Sequence, residues 1–146
     1  MLSSLLAVIL ISASWMLPDE IIADVALQLL TRAGPHQEFE CAAFIVAGAG
    51  SFTLRHWPRD RAFRGAQWLG AIPAGAVAII HTHPHTNPLP SPQDAREARR
   101  TQLPFYVVSR GSLAVVEPSG IVRAARTIPW LHPSSVTTDL RWRVNP

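Results

Sequence analysis

The alternation of apolar and polar positions divides the chain into two helices and six short strands. Ile21, Ile22, Val25, Ala26, Leu29 and Leu30 recur at three- and four-residue spacing, which predicts a helix over 18–32 with one buried stripe. Asp19, Glu20 and Asp24 lie toward its start, Arg32 falls in its last turn, and Gly34-Pro35 ends it. Residues 40–47 (Glu-Cys-Ala-Ala-Phe-Ile-Val-Ala) predict a buried strand. Gly48-Ala49-Gly50 turns the chain into 51–57, where Phe52 and Leu54 alternate with polar residues as in a hairpin partner. Residues 58–75 carry no period and predict a surface segment with at most one helical turn. The run Ala76-Val77-Ala78-Ile79-Ile80 predicts a second buried strand, and Pro84, Pro88 and Pro90 force a loop after it. Ser91-Pro92-Gln93-Asp94 opens a helix that reaches about Thr101, with Ser as N-cap, Pro at the first helical position and an acid at the third. Residues 105–109, 113–117 and 121–126, separated by turns at Gly111 and at Pro118-Ser119-Gly120, predict a closing antiparallel meander. The expected class is α/β, a mixed sheet flanked by helices.

Composition narrows this picture in three ways. A 48% hydrophobic and 16% charged chain of 146 residues is one globular domain with a core of its own. The net charge of +3 is diffuse and no basic-aromatic module is present, which argues against nucleic acid as a partner. One cysteine, Cys41, excludes an internal disulfide and reads as a buried structural thiol. All thirteen basic residues are arginine and none is lysine. A GC-rich genome explains that; a chain acting on lysine-linked conjugates would also gain from having no lysine to be tagged.

The chemistry concentrates in 81–94. His81 and His83 end the second buried strand two residues apart, so both imidazoles point to one side of it. A short loop brings Asp94 back at the start of the next helix. Two neutral imidazoles and a carboxylate form the ligand set of a three-residue zinc site with one coordination position open. Satisfied polar residues at a strand end are the competing reading of the two histidines. Zinc is preferred over iron or copper because this ligand set suits a redox-inert Lewis acid. His36, His56 and His132 have no partner in the sequence and read as surface or edge residues.

The spacing His-x-His, seven residues, Ser-x-x-Asp resembles the JAMM motif of the MPN-domain (JAB family) zinc metalloproteases, of the prokaryotic single-domain type. His81, His83, Ser91 and Asp94 match it position by position. The family also carries an upstream glutamate in a strand Glu-x-x-Gly, which 40–47 resembles, with Ala43 and Ala47 where glycine is common. The resemblance spans roughly 17–130. It implies a cytidine-deaminase-like MPN fold, metal ligation by His81, His83 and Asp94, and Zn2+ as cofactor. It implies Glu40 as the general base that takes a proton from the attacking water and returns it to the leaving amine, with Glu38 as its rival two residues earlier. It implies Ser91 as a donor to the oxyanion, beside its capping role. Phe63, Trp68 and His85 are candidates for the substrate groove, with Trp57 near the same side and arginines 59, 61 and 64 as further gripping groups.

By the same resemblance the substrate is the C-terminal tail of a ubiquitin-like protein, joined to a lysine or to extra residues. Partners acting like activating and conjugating enzymes, encoded in one operon, would fit that setting. Two other classes remain: a JAMM peptidase acting on small amides or peptidoglycan-type peptides, and a non-catalytic MPN interaction module. The domain is expected over 16–131, with 132–146 as a tail in which Trp142 could dock on the body or a partner. Residues 1–15 have the length and small-residue end of a signal peptide but no basic start. An extra N-terminal segment, or a true start at Met16, competes with export; the cytoplasm is the expected location otherwise, and a membrane is not expected as partner.

Overall fold

The computed structural model describes residues 17, 19–34, 40–58, 68–83, 89–109 and 111–127. Helix α1 (Asp19–Ala33) is followed by strands β1 (Ala42–Ala47), β2 (Phe52–His56) and β3 (Ala76–Thr82). Helix α2 (Pro92–Thr101) then leads to β4 (Phe105–Ser109), β5 (Ser112–Val116) and β6 (Val122–Thr127). The six strands form one sheet in the order β2-β1-β3-β4-β5-β6. All neighbours are antiparallel except β3 and β4, which run parallel and are joined through α2. A parallel pair cannot be joined by a tight turn, so the crossover helix is required by topology.

Side-chain alternation along the strands gives each helix its own face. Ile22, Val25, Ala26 and Leu29 of α1 pack on Ala43, Ile45, Ala78, Ile80, Tyr106 and Val108. The alternate residues Ala42, Phe44, Ile79, Phe105, Val107, Ala114 and Val116 pack against Ala98 of α2 and against Trp57. The sheet is thus buried on both sides, and its central strands read as continuous apolar runs for that reason. The expected mixed α/β architecture is the observed one. Among the described residues no helix is long and apolar enough to cross a membrane.

Regular pairing in β1 starts later than the sequence suggests, at Ala42 and not at Glu40. Cys41 is nonetheless fixed to the neighbouring strand. Its N–H donates to Thr82 Oγ1 at 2.9 Å, and its carbonyl accepts from the Thr82 N–H at 2.8 Å. A threonine side chain replaces the missing backbone acceptor. Phe52, the first residue of β2, is 39% exposed because β2 is an edge strand. Residues 1–15 and 132–146, Glu38, Phe63, His85, His36, His132, Trp142 and arginines 59, 61 and 64 lie outside the described residues.

Candidate metal centre

The site lies at the C-terminal end of β3, on the α2 face of the sheet. His81 and His83 share a face with Ile79, and their rings stack with centroids 4.5 Å apart and planes 27° from parallel. The Phe105 ring meets His81 edge-on at 4.8 Å from the neighbouring parallel strand. The His83 N–H donates to the Val108 carbonyl at 2.8 Å, which continues the ladder one residue past β3 and fixes the backbone that carries the second imidazole.

Helix α2 brings in the carboxylate. Ser91 is its N-cap with extended backbone (φ −89°, ψ 164°), and Pro92 opens the first turn. Ser91 Oγ accepts from the Asp94 N–H at 3.3 Å, while Asp94 Oδ2 accepts from the Ser91 N–H at 2.6 Å. This reciprocal pair is a capping box, and it turns the third helical residue inward over the strand end. His81, His83 and Asp94 are all buried.

Three observations fit this group to a metal ion. One ligand atom from each residue lies within 4.8 Å of the others. Among the described residues, His81 Nε2 is buried without a hydrogen-bond partner, although it faces Asp94 Oδ1 at 3.7 Å. His83 Nε2 faces Asp94 Oδ2 at 3.5 Å. The separation at His81 is too long for a strong hydrogen bond, and a buried polar atom left unpaired costs free energy unless something occupies the gap. The His81–Asp94 approach is not an ion pair at neutral pH. Burial lowers the His81 pKa to about 4, against the pull of Asp94, so the imidazole is neutral and one of its two ring nitrogens carries a lone pair. Two imidazoles and one carboxylate are a donor set suited to zinc.

Glu40 joins the same region from the neighbouring strand. Ala42 is opposite His81, and Thr82 is bonded to Cys41, so continuing the register sets Glu40 opposite His83 on the α2 face. Its carboxyl is half-buried. Burial raises its pKa above the usual carboxylate range; His83 opposes that shift and Asp94 adds to it. A carboxyl under the influence of both groups stands beside the His81–His83–Asp94 group without being part of it.

The fold and the His81–His83–Asp94 group now stand together with a family match over residues 23–127. The chain belongs to the prokaryotic homologs of the JAB domain. Comparison with curated proteins and with solved structures finds no match. JAB-domain families include hydrolases of the JAMM type, which bind zinc, and also members without catalysis. This JAB domain retains the buried three-residue group that could hold a metal.

Trp68, a groove candidate from the sequence, lies on the outer side of this face. It meets Phe44 edge-on at 5.1 Å and Trp57 at 6.3 Å, with the Arg55 guanidinium 5.8 Å over its ring. Its indole N–H donates to the Ala71 carbonyl at 3.0 Å. Trp57 is buried beside Ala42 and therefore one strand away from His81. His56 is half-buried on β2, on the opposite face, and among the described residues its Nδ1 is buried without a hydrogen-bond partner. Phe105 and Thr82 escape a sequence reading. Each looks like strand filling, and only the register shows that one braces His81 and the other holds the residue next to Glu40.

Proposed function

We propose that this JAB domain is a zinc-dependent JAMM-type metalloprotease that hydrolyses an amide or isopeptide bond at the C-terminal tail of a ubiquitin-like protein. The observation that carries the reading is the buried His81 Nε2, without a partner among the described residues, facing Asp94 beside His83, with Glu40 just before β1. Zinc held by His81, His83 and Asp94 would polarise the scissile carbonyl and ease ionisation of the attacking water. Glu40 removes a proton from that water and delivers it to the leaving nitrogen. Its half-buried carboxyl, raised in pKa, is suited to both transfers. Ser91 stands at the same helix start and can turn its hydroxyl toward the oxyanion. Trp68, half-buried and packed on the buried Phe44 and Trp57, is the apolar group that a substrate tail would meet on the β2 side.

The modifier as substrate rests on the family resemblance and on the absence of lysine from the chain. Partners acting like activating and conjugating enzymes belong to the same proposal. The test offers the zinc-loaded protein a ubiquitin-like protein fused at its C-terminus to a folded reporter, beside a free peptide of the same tail. Cleavage of the fusion but not of the peptide is expected. Equal or faster cleavage of the peptide would move the assignment to a small-amide peptidase, and cleavage of neither would favour a non-catalytic module.

A further inference from the structure

Ser91 contacts Asp94 three times. Beyond the two bonds of the capping box, Ser91 Oγ donates to Asp94 Oδ2 at 2.9 Å. Oδ2 therefore accepts from both the backbone N–H and the hydroxyl of one residue. A carboxylate oxygen with two donors has its in-plane lone pairs engaged. Among the described residues no donor reaches Oδ1, which faces His81 Nε2 at 3.7 Å.

We infer that Ser91 is a positioning residue for the metal: by occupying Oδ2 of Asp94 it holds the carboxylate at one rotation and leaves Oδ1 as the ligating atom. The inference rests on the metal reading above. It assigns the Ser91 hydroxyl a task in the resting protein that is separate from helix capping, because capping uses the oxygen as an acceptor and orientation uses its proton as a donor. The hydroxyl has one proton, so it cannot serve Asp94 and an oxyanion together. During turnover the N–H of Ser91 alone would retain Oδ2 while the hydroxyl turns away. Partners of this kind behind a ligand change metal affinity by about 10–100-fold when removed.

Three variants separate the roles, read by zinc titration of the metal-free protein against a competing chelator and by thermal midpoint without metal. Glycine caps a helix almost as well as serine but has no hydroxyl. Ser91→Gly is expected to bind zinc about tenfold or more weakly, with its metal-free midpoint near that of wild type. Ser91→Ala is expected to lose both affinity and midpoint, and Ser91→Thr to keep both. If Ser91→Gly binds zinc as tightly as wild type, the hydroxyl is only a cap and the inference is wrong, with the metal centre intact. If wild type itself takes up no zinc, the metal centre fails and this inference fails with it.

Discussion

The Glu40 carboxyl stands half-buried beside Asp94, with its pKa raised above the ordinary value of 4.5 by burial, His83 opposing. In the unfolded chain it ionises at the ordinary value, so the folded protein holds this proton more tightly. Ionised Glu40 thus subtracts stability from the metal-free protein at neutral pH, and the loss disappears below the unfolded pKa. Metal-free Glu40→Gln should be more stable than wild type at pH 7, with the gap closing as the pH falls toward 4.5. A bound cation would offset the same cost. The zinc-loaded variant should keep its metal and lose roughly 10²–10⁴-fold in turnover. Unfolding curves at several pH values and single-turnover assays check both arms; a variant that loses zinc, or turns over normally, would show that Glu40 is not the base. At this scale the sequence was informative wherever spacing carries chemistry. His81, His83 and Asp94 were readable because a strand end and a helix start fix their directions. Phe105 was not, because an aromatic in a buried strand looks the same whether or not it braces an imidazole.

Among the elements, the turn into β3 is the most constrained. Gly75 has φ +79°, and its carbonyl accepts from the Ala47 N–H at 2.9 Å beside the irregularity at Ile45/Val46. A Cβ there would stand 2.9 Å from the Ala47 carbonyl oxygen, a backbone atom that cannot swing aside. Gly75→Ala should cost about 2 kcal/mol or more, since left-handed backbone alone costs a non-glycine residue roughly 1–2 kcal/mol. Gly50 has a similar φ of +77° with nothing within 4 Å of the added carbon, so Gly50→Ala should cost only the backbone part. Denaturant midpoints compare the two, and equal losses would mean that the contact with Ala47 relaxes freely. The run of elements was legible in the sequence: 105–109 is the observed β4, and the cap Ser91-Pro92 opens α2 where its residue types require. The start of β1 was not. Ending it at Ala42 depends on Thr82, a residue forty-one positions beyond Cys41, supplying a side-chain acceptor.

For the whole molecule, the two faces of the sheet divide the work. The α1 face is an apolar core, in which Tyr106 also anchors the approach to α1 by accepting from the Leu17 N–H at 2.9 Å. The α2 face holds a core at one end and the His81–His83–Asp94 group at the other. Apolar runs in β1, β3 and β4 announced a sheet covered on both sides. The neighbours of β3 could not be read that way, because hydrophobic pattern does not specify which strand pairs with which. The chemical end is set up for a cation: among the described residues His81 Nε2 has no hydrogen-bond partner, and burial keeps its imidazole neutral. Metal analysis of the purified protein, after incubation with zinc and removal of the excess, tests that claim most directly. About one zinc per chain is expected in wild type, since the three ligands form a single site, and close to none in His81→Ala and Asp94→Ala. Full zinc occupancy in either variant, or no zinc in wild type, would contradict it.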